Sequence, residues 1–148
     1  MKKVVAAVIG AVIVLAVVSC DLFDNPKPQI MVLTTEGNDT VFKDFGHDQL
    51  IEFETQTNVA IDKTFKIRNA GNAPLTIDSI TTEASQTAFT IFGGSIPTTV
   101  LQPDEEMSFK VQILSDHVAN HDSKLLIPND DPEESNFYLR LAATVMPN

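Results

Sequence analysis

The sequence predicts an all-β fold, a β-sandwich of about seven or more short antiparallel strands that follows an N-terminal export signal. Two observations support this prediction. Apolar residues alternate with polar ones in runs that recur roughly every ten residues, and clusters of Gly, Pro, Asn and Asp separate the runs. Alternation with a period of two is typical of strands that are buried on one face. No helical period is found after the signal.

The run FKIRNAGNAPLTIDSI, residues 65–80, shows this pattern most clearly. Phe65 and Ile67 face one side while the residues between them are charged. The cluster 69–74 then supplies Asn, Gly and Pro, which favour turns and interrupt a ladder. A second apolar run begins at Leu75. The pattern predicts a strand, a turn and a strand that form a hairpin.

The remaining strands are predicted from the same alternation, which is clearest after the acidic turn 102–106. In chain order these strands are 30–34, 40–42, 89–92, 107–113, 124–127 and 137–143. Leu50, Ile51 and Phe53 form a further apolar patch, after which Val59 and Ile61 alternate into the strand that contains Phe65. Segment 115–123 is predicted to be a polar loop, and the short strands 30–34 and 89–92 are predicted to be sheet edges. One core between the sheets is expected to hold Phe65, Ile67, Phe109, Val111, Leu139 and Leu141.

The first 19 residues are typical of a secretory signal. Lys2 and Lys3 precede an uncharged stretch, residues 4–18, that is too short to span a bilayer comfortably. At the end of this stretch the chain reads Val17-Val18-Ser19-Cys20, which resembles the bacterial lipobox. That resemblance implies that Cys20 is lipidated and becomes the first mature residue. The alternatives are an ordinary signal peptide with an unrelated cysteine, or an uncleaved signal anchor.

Composition limits the classes of partner. The chain has a formal net charge of −10, and loss of Lys2 and Lys3 with the signal would leave 8 basic against 20 acidic residues, a net charge of −12. This charge argues against nucleic acid and against electrostatic binding to anionic lipid, so the lipid would supply the membrane contact. A single cysteine excludes an internal disulfide. The predicted organisation is signal peptide 1–19, lipidated Cys20 with a short tether 20–29, and one domain 30–148.

Several pieces of the chain, taken in order, resemble the choice-of-anchor D type of immunoglobulin-like module, within the wider class of ASH-like domains. The pieces are Asp44-Phe45-Gly46, the run 65–80, Ala88-Phe89-Thr90-Ile91, the Leu101-Gln102-Pro103 turn before strand 107–113, and Leu126-Ile127-Pro128-Asn129-Asp130 before Phe137-Tyr138-Leu139. The resemblance implies a seven-stranded immunoglobulin-like sandwich outside the cytoplasm that serves in interaction. It brings no catalytic residues.

Two clusters could bind an ion. His117 and His121 are four residues apart beside two aspartates, a spacing that puts both imidazoles on one side of a strand or helix. The alternative is a solvated loop with two incidental histidines. The loop from Asp130 to Glu134 is acidic enough for calcium, but it lacks the ligand spacing of a calcium-binding loop, and a solvated acidic loop is favoured.

No catalytic motif is found. The chain lacks a G-x-S-x-G elbow and a Gly-rich phosphate loop, and its one cysteine is assigned to lipid. The sequence therefore predicts a non-enzymatic lipoprotein of the bacterial cell envelope, without a cofactor, that holds an unidentified protein partner near the membrane through a sheet edge or a loop. The alternative is a metal- or calcium-responsive binding protein or enzyme that uses His117 and His121 or the Asp130–Glu134 loop.

Overall fold

The computed structural model describes residues 25–36, 40–83 and 88–148, and these residues form strands and no helix. The strands are β1 (Ile30–Thr35), β2 (Phe42–Phe45), β3 (Leu50–Gln56), β4 (Ile61–Asn69), β5 (Leu75–Ile77), β6 (Thr81–Thr82), β7 (Phe89–Ile91), β8 (Thr99–Leu101), β9 (Glu106–Ile113), β10 (Ala119–Pro128) and β11 (Asn136–Met146). The predicted all-β class is confirmed. The predicted signal and Cys20 lie outside the described residues.

The strands form two main sheets and a small one. The five-stranded sheet has the order β2-β1-β4-β9-β7, the four-stranded sheet has the order β3-β11-β10-β6, and β5 pairs with β8. Every pair is antiparallel except β3 with β11, which is parallel. The expectation of antiparallel strands therefore has one exception. A parallel pair is possible here because the two strands are distant in the chain and need no tight turn between them.

The inner faces of both main sheets supply one buried cluster. It contains all six residues expected in the core, Phe65, Ile67, Phe109, Val111, Leu139 and Leu141. Phe65 and Phe109 are opposite each other on β4 and β9, and their rings stack with centroids 5.6 Å apart. Buried residues alternate with more exposed ones along β3, β4, β9 and β11. The alternation seen in the sequence therefore identifies the inward face correctly.

The predicted hairpin at 65–80 is wrong in its pairing. Both runs are strands, but β4 pairs with β1 and β9 while β5 pairs with β8. Next to the turn, β1 and β9 occupy both edges of β4 over residues 65–68. A hairpin partner would need one of these edges, so β5 does not pair with β4 and the chain leaves the sheet after Asn69.

One of the two predicted sheet edges is also wrong. The predicted strand 30–34 is β1, which lies between β2 and β4. The strand predicted at 40–42 instead spans Phe42–Phe45 and covers the outer side of β1. The second predicted edge is confirmed, because β7 ends the five-stranded sheet.

The polar segment 115–123 is not wholly a loop. β10 begins at Ala119 and pairs with β11 along its whole length. Its first half alternates exposed Asn120 and Asp122 with buried His121 and Ser123. Because the buried positions there are polar, hydrophobic alternation does not reveal the strand. The short strand β8 was not predicted either.

Asn69, at the end of β4, is fully buried and joins three segments. Its Nδ2 donates to the carbonyl oxygens of Ala73 at 2.7 Å and Leu101 at 3.0 Å. Its Oδ1 accepts from the backbone N–H groups of Gly71 at 3.0 Å and Gln29 at 3.4 Å. A buried amide that uses donor and acceptor atoms in this way satisfies backbone groups that the turn cannot pair.

The segment before β1 is held to the domain by backbone contacts. The Gln29 carbonyl accepts from Ala70 N–H at 2.8 Å, and Ile30 N–H donates to Asp131 Oδ2 at 2.9 Å. Gly71 allows this approach, since a Cβ built there would stand 2.2 Å from the Lys27 carbonyl oxygen. Residues 27–29, assigned to the tether from the sequence, therefore contact the sandwich closely.

We expect Phe109→Ala to lower the free energy of unfolding by about 3–5 kcal/mol, because it opens a cavity against Phe65. That is a large part of the roughly 5–15 kcal/mol typical of a domain. Lys110→Ala, one residue along on the outer face, should cost less than about 1 kcal/mol, because it removes only an exposed ion pair to Asp62. Urea unfolding measures both. Equal losses at the two sites would contradict the assignment of the inner face.

We expect Asn69→Ala to cost about 2 kcal/mol or more, because it leaves buried N–H and C=O groups without partners. Asn72→Ala is the matched control. Asn72 is exposed and accepts one hydrogen bond from Lys27 N–H, so its loss should cost less than about 1 kcal/mol. Urea unfolding of both variants makes the comparison. If Asn69→Ala lowers the free energy of unfolding less than Asn72→Ala does, the hydrogen bonds of the buried amide do not stabilise the fold as inferred.

Candidate interaction site

The main sheets end in strands of very different length. The terminal strands β2, β7 and β6 contain 4, 3 and 2 residues, whereas β3 contains 7. Short edge strands offer few unpaired backbone groups, and this is one way in which proteins protect their edges. Within the part of the chain that the structure describes, β3 is the long edge.

The ladder to β11 sets which backbone groups of β3 face outward. Arg140 N–H donates to the Gln49 carbonyl and Thr57 N–H donates to the Met146 carbonyl, both at 2.9 Å, at the two ends of the parallel register. In a parallel ladder alternate residues of a strand bond to the same neighbour. Residues 51, 53 and 55 therefore bond to β11. The residues whose N–H and C=O groups point away from it include Leu50, Glu52 and Glu54.

A groove of about 330 Å³ runs beside this edge, where the two sheets separate. One wall is β3, and the end of β1, the end of β2 and the start of β4 form the rest. Outside β3 the lining residues are Thr35, Glu36, Phe45, Ile61 and Lys63. The groove thus combines an apolar floor with charged groups at its rim.

Lys63 is the one buried cation along the groove in the described residues, with 8 % of its surface exposed. Its Nζ lies 5.3 Å from the centroid of the Phe53 ring and 3.4 Å from the Thr35 carbonyl oxygen. Burial lowers the pKa of this amine, while nearby Glu36 and Glu52 act in the opposite direction. The positive charge is therefore held against an aromatic face at the opening between the sheets.

Glu52 and Glu54 project from the outer face of β3 and are exposed. Neither forms a salt bridge within the described ranges. Arg140, opposite Leu50 on β11, is already paired with Asp48 at 3.0 Å. The outer side of the open edge is therefore acidic, in contrast to the cation inside the groove.

The structure brings the two predicted histidines together but gives them different surroundings. Their ring centroids are 5.6 Å apart. His117 is exposed, and its Nδ1 lies 2.7 Å from Asp116 Oδ1, a hydrogen bond that lowers the pKa of the Asp116 carboxyl. His121 is buried on β10, with Nε2 3.1 Å from Ser115 Oγ. The interpretation of both as incidental residues of a solvated loop is wrong for His121. The described residues contain no group of three or more His, Cys, Asp or Glu side chains arranged to hold a metal.

The acidic loop uses two of its carboxylates for structure. Asp130 Oδ1 accepts from Thr76 N–H at 2.7 Å. Asp131 is 3 % exposed, and it accepts from the N–H groups of Ile30 and Glu133. The expectation of a solvated loop is therefore wrong for Asp131. The carboxylate of Glu133 remains exposed, with a long ion pair to Lys27 at 3.7 Å.

Sequence reasoning missed the edge at Leu50, Glu52 and Glu54. The sequence indicates an apolar patch at Leu50, Ile51 and Phe53, but it predicts neither the strand nor its inward face. Nothing in the alternation shows that one side of the strand lacks a neighbour.

In the described residues no helix is long and apolar enough to cross a membrane.

Solved structures with the same fold come from very different proteins. The ASH/PapD-like domain 7 of human CEP192 has a TM-score of 0.56 and 10 % identity, over 100 % of this chain and 99 % of that chain. A Porphyromonas gingivalis W83 protein of unknown function has a TM-score of 0.53 and 15 % identity, over 80 % of this chain and 66 % of that one. Escherichia coli alpha-2-macroglobulin has a TM-score of 0.53 and 12 % identity, over 78 % of this chain and 7 % of that one. At such identities the likeness shows the fold alone.

Comparison with curated proteins gives no match. The model of the HYDIN/CFA65/VesB-like Ig-like domain matches residues 44–144. This span is more than half of the chain, and it runs from the last residues of β2 into β11, so it includes the whole of β3 and most of β11. The chain therefore belongs to the HYDIN/CFA65/VesB-like family of immunoglobulin-like domains.

Proposed function

We propose that this protein is a lipid-anchored, non-enzymatic interaction module of the bacterial cell envelope, of the choice-of-anchor D and ASH-like type. In this proposal it docks a protein partner through the open edge of β3. The observation that carries the proposal is a seven-residue edge strand with outward backbone groups beside a groove. An Ig-like domain of this family is compatible with such a role.

Strand addition suits this edge chemically. The N–H and C=O groups of Leu50, Glu52 and Glu54 can each bond to an extended segment of a partner, and the groove can take its inward side chains. Main-chain bonds then supply affinity and the groove supplies selectivity. The proposal needs no nucleophile, metal or cofactor, and no catalytic motif was found in the sequence.

The anchor part of the proposal depends on Val17-Val18-Ser19-Cys20 and on the apolar stretch before it. Since residues 27–29 are bound to the sandwich, at most residues 20–26 would separate a lipid on Cys20 from the domain. At about 3.1 Å per residue that segment reaches roughly 20 Å, so the domain would stay close to the membrane surface. Either bacterial membrane is compatible with this arrangement.

Cys20→Ser should abolish lipidation and leave either uncleaved precursor or soluble mature protein, because the hydroxyl cannot form the thioether. Ser19→Ala, which keeps a small residue before the cysteine, should remain lipidated. Detergent-phase partitioning of the expressed full chain measures the result. If Cys20→Ser still partitions into detergent after signal cleavage, the lipobox assignment is wrong.

Glu52→Pro should abolish capture of the partner from crosslinked cells, because it deletes an outward N–H while the ladder to β11 stays intact. Glu52→Ala is the matched control, since it removes the same carboxylate but keeps the N–H, and it should retain much of the capture. Quantitative affinity capture with the mature protein compares the two. Equal capture by Glu52→Pro and the unaltered protein would overturn docking at β3.

The acidic loop is the competing surface, and the same capture separates it from the edge. If the loop binds the partner, Glu133→Gln with Glu134→Gln should abolish capture, and so should salt raised from about 0.05 to 0.5 M, where screening lengths fall well below 10 Å. The edge predicts that the loop variant leaves capture unchanged and that salt lowers capture only in part, because salt screens the ion pairs of Glu52 and Glu54 but not the backbone bonds. If the loop variant loses capture and Glu52→Pro does not, the partner binds at the loop and not at β3.

A further inference from the structure

We propose that the partner segment taken by β3 is a short extended strand with basic side chains on its outward face and apolar side chains on its inward face. This inference depends on the proposed docking at β3. Four observations lead to it: the phase of the outward backbone groups, the two exposed glutamates that form no salt bridge among the described residues, the composition of the groove, and the charges that would face each other if a second copy of β3 paired there.

The backbone sets the length and the phase of the segment. The outward residues Leu50, Glu52 and Glu54 are two apart, so their N–H and C=O groups recur about every 6.6 Å along the edge. A partner of about five residues spans them. Its side chains then alternate, one set beside the outer face of β3 and the other set over the groove.

The outer face selects positive charge. Side chains of an added strand lie about 5 Å from their cross-strand neighbours on the same face. On this face those neighbours are Glu52 and Glu54, which have no salt bridge in the described part of the chain. Lys or Arg there gains an ion pair, while Asp or Glu meets like charge. The chain's net charge of −10 favours the same partner during approach.

The groove favours apolar side chains on the inward face of the added strand. Inward side chains of the added strand would contact Phe45 and Ile61 and lie near the Lys63 ammonium. That ammonium is already removed from water and lies over the Phe53 ring. A charged side chain there would lose solvent in a groove that already holds Lys63 and Glu36, whereas an apolar side chain covers the groove floor without that cost. Basic and apolar positions should therefore alternate in the partner.

The same pattern disfavours a second copy of this chain. An antiparallel pair of β3 strands centred on Glu52 would place each Glu52 beside its counterpart and each Glu54 beside Leu50. Like charges directly opposite each other destabilise a pair. The glutamates thus protect the edge from self-association and leave it open to a basic strand.

The test uses three acetylated and amidated seven-residue peptides as probes. One alternates Lys with Val, one alternates Glu with Val, and one repeats the Lys and Val side chains with every peptide nitrogen methylated. Isothermal titration of the mature protein at about 0.1 M salt gives their dissociation constants. We expect the Lys/Val peptide to bind at least on the order of tenfold more tightly than the Glu/Val peptide, as two cross-strand ion pairs predict. The methylated peptide should not bind, because it has no backbone donors.

Two charge-matched variants locate the effect. Glu52→Gln with Glu54→Gln should weaken binding of the Lys/Val peptide by on the order of tenfold, whereas Glu133→Gln with Glu134→Gln, which removes the same charge at the loop, should not. Binding of the methylated peptide as tight as that of its parent, or equal affinity for the Lys and Glu peptides, overturns the inference. If Glu52→Pro abolishes capture of the cellular partner while charge makes no difference, docking at β3 stands and only the basic character of the partner is wrong.

Discussion

Buried backbone groups must find hydrogen-bond partners, and two side chains meet this requirement where the chain enters the sandwich. Asn69 pairs with the segment before β1, with the turn that follows β4 and with the end of β8, while Asp131 accepts from the first N–H of β1. Because these contacts hold the start of β1, the strand can pair with β4 on one side and with β2 on the other. Among the described strands, the long edge is therefore β3 and not β1.

An open edge strand can pair with another copy of the chain and aggregate, and the composition of β3 opposes this. Its inward residues, Ile51, Phe53 and Thr55, are buried in the sandwich, so the strand cannot detach without loss of core contacts. Its outward residues place two carboxylates where a copy of the same strand would have to bind. In the proposed docking, stability and selectivity would therefore be carried by opposite faces of one strand, which the period of two makes possible.

Several residues that suggest chemistry in the sequence are used for structure. His121 is buried beside Ser115, and Asp131 binds backbone N–H groups at the start of β1. Lys63 differs from both, because it is a buried cation that lines the groove between the two sheets beside β3. These side chains are polar for three different reasons: to fill a strand position, to cap a loop and to line a groove. Residue type and spacing do not separate these reasons.

The sequence by itself determined the all-β class, the position of most strands and the inward face of three of them, which supply the shared core of Phe65, Phe109 and Leu139. It could do so because the direction of a side chain along a strand is a local property with a period of two. Which strands are neighbours was decided only by the tertiary structure, and so the hairpin at 65–80, the edge at 30–34 and the loop over 119–123 were predicted wrongly. The lack of a neighbouring strand on one side of β3 is likewise visible only in the tertiary structure. Pairing depends on competition between distant segments for the same edge, and a one-dimensional pattern does not contain that competition.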